Sequence, residues 1–204
     1  MVFISTAMVQ SDARKPITNP FQIPDYQQVI PLDKKNAAGE PMAAEEFPKE
    51  AWVSSDGEER GYNIKDMPNL FYGGGFWFVS AKAAAVLQAH DLGAGALYPV
   101  NVYGKDRQTP LGDGWFCINF GNRKSAFLAE ESSRTRPSAG GGWTTFATIK
   151  DDEVAASSAA LDGPDIWVDP DLRRSIFLSE RLGKALKKAK AAHGFYLHSC
   201  RVIG

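Results

Sequence analysis

Cysteine and histidine are scarce in this 204-residue chain, with two of the first and three of the second. Cys117 and Cys200 are too few and too far apart for a disulfide framework or a paired-cysteine zinc site. No Gly-x-Ser-x-Gly elbow is present, and neither cysteine has a histidine at a spacing known for a thiol nucleophile. Charge of one sign is lacking too. The 23 Lys and Arg stand against 24 Asp and Glu, for a formal net charge of −1. A protein that coats nucleic acid or an anionic membrane needs a cationic excess, so neither is expected as a main partner. There is no run of about 18 apolar residues, the length that crosses a bilayer. Met1–Val9 is apolar, but it lacks the cationic start of a secretory signal and is interrupted by Ser5 and Thr6. It reads as a strand, and a cytoplasmic location with reduced thiols follows as the expectation.

What is present is an ordinary globular composition, 44% hydrophobic and 11% aromatic. That excludes disordered and collagen-like chains. The length suits one large domain or two small ones with a real core. Residues 1–63 read as an extended proline-rich arm packed on the body, because prolines at 16, 20, 24, 31, 41 and 48 each fix φ and remove a backbone donor. Polar stretches lie between them, Asp33–Gly39 and Ser54–Arg60, with one helical turn expected in Ala43–Phe47. Phe21, Ile23, Tyr26, Val29, Ile30 and Trp52 are the expected plugs into the body.

Residues 64–204 read as an α+β body with an internal repeat, 66–103 and 162–202. Phe78-Val-Ser-Ala-Lys82 aligns with Phe177-Leu-Ser-Glu-Arg181, and Asp66-Met-Pro-Asn-Leu70 with Asp162-Gly-Pro-Asp-Ile166. Each copy is a short apolar strand, a serine suited to cap the next helix, an amphipathic stretch and a further strand. In the second copy Leu182, Ala185, Leu186 and Ala189 recur at helical spacing, with Lys184, Lys187, Lys188 and Lys190 on the other faces. Gly95 and Gly194 are placed where a left-handed residue ends each helix. Strand–helix–strand is a parallel crossover unit if its strands run the same way, and an antiparallel return is the alternative. Between the copies, Trp115–Phe120 and Trp143–Ile149 read as strands. The expected fold is α+β, a mixed sheet with two strand–helix–strand units and the N-terminal arm.

Three constellations carry candidate chemistry. The Gly73–Gly75 and Gly140–Gly142 runs lack a phosphate-loop pattern and read as turns. His193, His198 and Cys200 are zinc-ligating types without enough partners for a site. Asp162-Gly-Pro-Asp-Ile-Trp-Val-Asp-Pro-Asp171 holds four carboxylates, but Gly and Pro beside them describe turns. The basic clusters Arg123-Lys124, Arg134/Arg136 and Lys184–Lys190 lack the interleaved aromatics of a nucleic-acid surface. No catalytic residue, metal or cofactor is assigned.

Two stretches carry a resemblance: Gly163-Pro-Asp-Ile-Trp-Val-Asp-Pro-Asp-Leu172 with Ile176–Leu186 and Gly194-Phe-Tyr196, and Trp115-Phe-Cys-Ile-Asn119 with Phe127-Leu128 and Glu131-Ser132. Together they resemble the immunity-protein family numbered eleven in bacterial polymorphic toxin systems, over about residues 115–202. The resemblance implies a protein that binds and neutralises a cognate toxin, encoded nearby, without catalysis. Arg134, Arg136 and Trp143 around the glycine loop are the expected partner-binding residues, since Arg and Trp dominate interface hot spots. The competing expectation is a small-ligand-binding domain or enzyme that uses a cleft between the two copies. A third is a structural or adaptor subunit.

Overall fold

Short apolar runs form many of the strands, and two serines fix where two of the helices start. The computed structural model describes residues 1–22, 25–54 and 67–204. Ile23, most of Ser54–Arg60 and Asp66 therefore lie outside the described residues. In chain order the elements are β1 (Val2–Ser5), β2 (Ile17–Thr18), α1 (Val29–Ala37), β3 (Glu50–Val53), β4 (Leu70–Gly73), β5 (Phe76–Ser80), α2 (Ala81–Gln88), β6 (Ala96–Tyr103) and β7 (Trp115–Asn119). They continue with β8 (Thr135–Pro137), β9 (Trp143–Thr145), β10 (Ala155–Ser157), β11 (Ile166–Asp169), β12 (Leu172–Ser179), α3 (Glu180–Lys188) and β13 (Leu197–Ile203).

The fold is α+β, but it has two sheets where one mixed sheet was expected. One is six-stranded, ordered β2-β3-β6-β7-β5-β4. The other has seven strands, ordered β10-β13-β1-β12-β9-β8, with β11 on the free edge of β12. Both mix parallel and antiparallel pairs.

In each sheet a strand, a helix and a strand form one unit. β5 and β6 are both antiparallel to β7, so they run parallel to each other with β7 between them. β12 and β13 stand in the same relation to β1. The crossover strands are thus parallel but separated, because a third strand fills the gap, the next one along the chain (β7) in one unit and the distant β1 in the other. Ser80 Oγ accepts from Ala83 N–H and Ser179 Oγ from Leu182 N–H, both at 3.2 Å, capping α2 and α3.

The two units also grip each other reciprocally. Asn69 N–H donates to His193 C=O at 2.9 Å, and Asp165 N–H donates to Asp91 C=O at 2.7 Å. Each bond runs from the strand entrance of one unit to the loop after the other unit's helix. Gly194 is needed there: a Cβ would lie 2.8 Å from Pro68 Cβ, and Gly194 adopts φ +90. It does not end α3; that left-handed position belongs to Lys190, at φ 52. Between the units the space is filled by Trp77, Val79, Leu87, Ile166, Leu178 and Leu186, all buried in one cluster. A fully buried Leu or Ile contributes about 1.5–3 kcal/mol, so this join supplies much of the stability.

The first 54 residues hold more regular structure than their prolines suggested. Asp33–Gly39 is mostly the C-terminal part of α1, since Pro31 stands in the first turn, where its missing N–H costs nothing. Asn36 pins that helix to the six-stranded sheet. Its Nδ2 donates to Ile118 C=O at 2.8 Å, and its Oδ1 accepts from Phe120 N–H at 2.9 Å. β3 pairs with β6 in parallel, and β1 lies in the middle of the seven-stranded sheet. Val29 and Trp52 are core residues, whereas Tyr26 is 49% exposed. The single turn expected near residue 45 is a 3-10 turn at Ala44–Glu46.

Candidate binding surface

β8 and β9 form a hairpin at one end of the seven-stranded sheet, with Pro137 opposite Trp143. Gly140–Gly142 make its turn, and Gly141 and Gly142 both have positive φ. Gly73–Gly75 are the corresponding turn between β4 and β5, with positive φ at Gly74 and Gly75, so both glycine runs are hairpin turns. The hairpin carries all three expected partner-binding residues. Arg134 and Arg136 both stack on Phe146, at 4.6 and 5.2 Å from its centroid. Arg134 also donates to Thr148 C=O and lies 3.9 Å from Glu153. Trp143 is half-buried against Phe127, 6.5 Å away. Arg136 is the exposed member, and Trp143 is largely a packing residue.

The candidate nucleophiles and ligands are dispersed. Burial pushes the thiols of Cys117 and Cys200 well up, so neither is a ready thiolate. His198 and Cys200 share a face of β13, opposite Ile4 and Val2, and burial pushes the His198 imidazole below its usual value. His193 is exposed in the preceding loop. Among the described residues no three His, Cys, Asp or Glu stand close enough together to hold a metal ion.

The acidic motif holds backbone and helix in place. Asp165 is 1% exposed. Burial would raise its carboxyl, but hydrogen bonds from Arg181, Ser179 and the Asp91 N–H together outweigh that and hold it below the usual carboxylate range. The Arg181 Nε–Asp165 Oδ1 distance is 2.5 Å. Asp169 Oδ2 accepts from the N–H groups of Ala126 and Phe127, each at 2.7 Å.

A cationic cleft was not foreseen from the sequence. Two adjoining cavities of about 90 and 330 Å³ lie between α1 and β12 and share Ala37 and Arg174. Arg14, Lys34, Arg123, Arg173 and Arg174 line them, and all five are exposed. They come from four separate parts of the chain, and of the five only Arg123 stands in a basic cluster read from the sequence. Two neighbours in a strand normally face opposite ways. Arg174, however, has φ 59, and the kink exposes both arginines to the cleft. That conformation costs a non-glycine residue about 1–2 kcal/mol. A hydrogen bond of 2.7 Å from Arg174 Nη2 to Met8 C=O helps to hold it. At the floor, burial raises the carboxyl of Asp33 against the pull of the Tyr72 hydroxyl and of Arg14 and Arg174. Arg173 Nη1 donates to Gly140 C=O, which joins the cleft to the hairpin turn.

The scaffold is therefore a two-sheet α+β protein whose open features are a charged edge hairpin and a cationic cleft, with its candidate nucleophiles buried. The model of the Immunity protein family (Imm11) matches residues 6–201, nearly the whole chain, and the protein belongs to that family. The comparison with curated proteins gave no match. No helix among the described residues is long and apolar enough to cross a membrane.

Proposed function

We propose that this protein binds a cognate bacterial toxin, encoded beside it, and neutralises it in the cytoplasm without catalysing a reaction. Membership of the immunity family carries this reading. The buried thiols, and the use of Asp165 and Asp169 to hold this chain's own helix and backbone, are consistent with it. A near-neutral net charge makes the protein unsuited to mimic a nucleic acid, so shape and specific contacts supply the selectivity. An interface of ordinary size, about 1,600 Å² in total, suffices.

The partner surface on this reading centres on the edge hairpin, with Arg136 the principal contact and Arg134 and Trp143 supporting it. The body from residue 67 on is then a duplicated strand–helix–strand unit, to which the described residues before it add β1 in one sheet and β2 and β3 in the other. The ligand-cleft alternative gains nothing from the join between the units, which apolar side chains fill among the described residues.

Co-expression with the product of the neighbouring toxin gene is the test. Growth should be rescued and the two proteins should co-purify; no rescue and no complex would sink the proposal. Arg136→Glu should weaken the complex by about tenfold or more, as hot-spot charges do, with thermal stability unchanged.

A further inference from the structure

We propose that the cleft between α1 and β12 receives an acidic peptide segment of a protein partner. This rests on the reading of the chain as a toxin-binding protein and adds the chemistry of what it grips. Four cations outside the cleft sit in close ion pairs, Lys35 with Glu46, Arg134 with Glu153, Arg181 with Asp165 and Lys184 with Glu180. In the cleft, Arg14, Lys34, Arg123, Arg173 and Arg174 form no ion pair among the described residues. Five cations against the two carboxylates of Asp33 and Asp169 leave a local excess of positive charge on a chain of net charge −1.

The backbone at Arg174 is a second, independent pointer. A left-handed position in a strand suits Gly or Asn, yet arginine occupies it and puts two consecutive guanidiniums into one cleft. Both are anchored through backbone carbonyls, of Gly140 and Met8, and so need no carboxylate of this chain to orient them. Planar guanidiniums held in this way are suited to carboxylates.

The rest of the lining distinguishes a peptide from a nucleic-acid strand. Bases need open aromatic faces to stack on. Here Tyr72 is covered by Arg14, 5.0 Å from its centroid, and packs on Trp77, itself 5% exposed. Half-buried Asp33 is an acceptor for peptide N–H groups, whereas a phosphodiester backbone brings only acceptors and would be repelled. An acidic peptide brings both carboxylates for the arginines and N–H donors for Asp33.

The test uses the full chain and a fluorescein-labelled ten-residue Glu–Gly repeat peptide, read by anisotropy at low salt. Ten-nucleotide single-stranded DNA and inorganic phosphate serve as competing probes. The peptide should bind, and Arg123→Glu with Arg173→Glu should weaken it by about tenfold or more. Lys82→Glu with Lys188→Glu, which changes net charge equally, should change it by less than about twofold. Arg174→Gly relieves the backbone, so it should keep the melting temperature while losing affinity. Equal loss in both charge-reversal pairs, tighter binding of DNA or phosphate than of the peptide, or undiminished affinity in Arg174→Gly would overturn the proposal. Growth rescue by a protein that binds no peptide would refute the cleft and leave the immunity reading standing. Peptide binding without rescue would do the reverse.

Discussion

Replacing glycine by alanine within a helix ordinarily stabilises it by about 1 kcal/mol, yet Gly183→Ala in α3 should do the opposite. Gly183 faces the seven-stranded sheet, and an added Cβ would overlap the ring of Phe3 in β1, with Cε2 at 2.7 Å, Cγ at 2.9 Å and Cδ2 nearer still. The ring cannot easily withdraw. Phe3 is 4% exposed, β1 is hydrogen-bonded on both edges, and Lys187, one turn along α3, lies 4.4 Å from the ring centroid. Overpacking of this kind costs about 1–3 kcal/mol, so against the propensity gain the net effect is a loss of up to about 2 kcal/mol. In a chain of this size that lowers the melting temperature by about 2–4 °C per kcal/mol. Urea unfolding followed by tryptophan fluorescence should show a lower midpoint at unchanged slope. Phe3→Leu alone should cost about 1 kcal/mol, but in the Gly183→Ala background it should cost little or restore stability. A coupling of about 1 kcal/mol would then appear in the double-mutant cycle. A Gly183→Ala protein more stable than the parent, or strict additivity with Phe3→Leu, would refute the reasoning.

Two further perturbations test how the helices are attached. Asn36→Ala strands the buried Ile118 C=O and Phe120 N–H, and should cost about 2–4 kcal/mol in the same urea assay despite alanine's better helix propensity. Asp165 has a folded pKa below its usual value of 3.8, so its contribution is complete above that pH and is lost as pH falls through the folded pKa. The parent should therefore lose stability more steeply below about pH 4 than Asp165→Asn, measured as melting temperature against pH. Equal slopes would show that the Arg181–Asp165 pair does not govern the acid limb.

The local signals were legible wherever a residue's neighbours in sequence decide its state. Ser80 and Ser179 begin their helices because a serine oxygen three residues ahead of a free N–H caps it whatever lies elsewhere. Leu182 and Leu186 are buried because a helix repeats its faces every 3.6 residues, and Trp115–Asn119 is a strand because its apolar run is bounded by turns. The proline-based reading failed at Asp33–Gly39, since proline disrupts a helix interior but not its first turn. Arg134, Arg136 and Trp143 do share one hairpin, a placement set by its short glycine turn.

Distant chain segments decided the remainder. Nothing in Val2–Ser5 announces that it will lie between β12 and β13, because a strand's edges accept any partner that offers matching backbone groups. The cationic cleft likewise draws Arg14, Lys34, Arg123 and the Arg173-Arg174 pair from segments far apart in sequence. The sequence by itself determined helix starts, apolar faces and hairpin turns, which depend on short-range geometry. Only the tertiary structure decided which strands meet and which charges gather, because pairing and charge proximity depend on distances in space that sequence separation does not record.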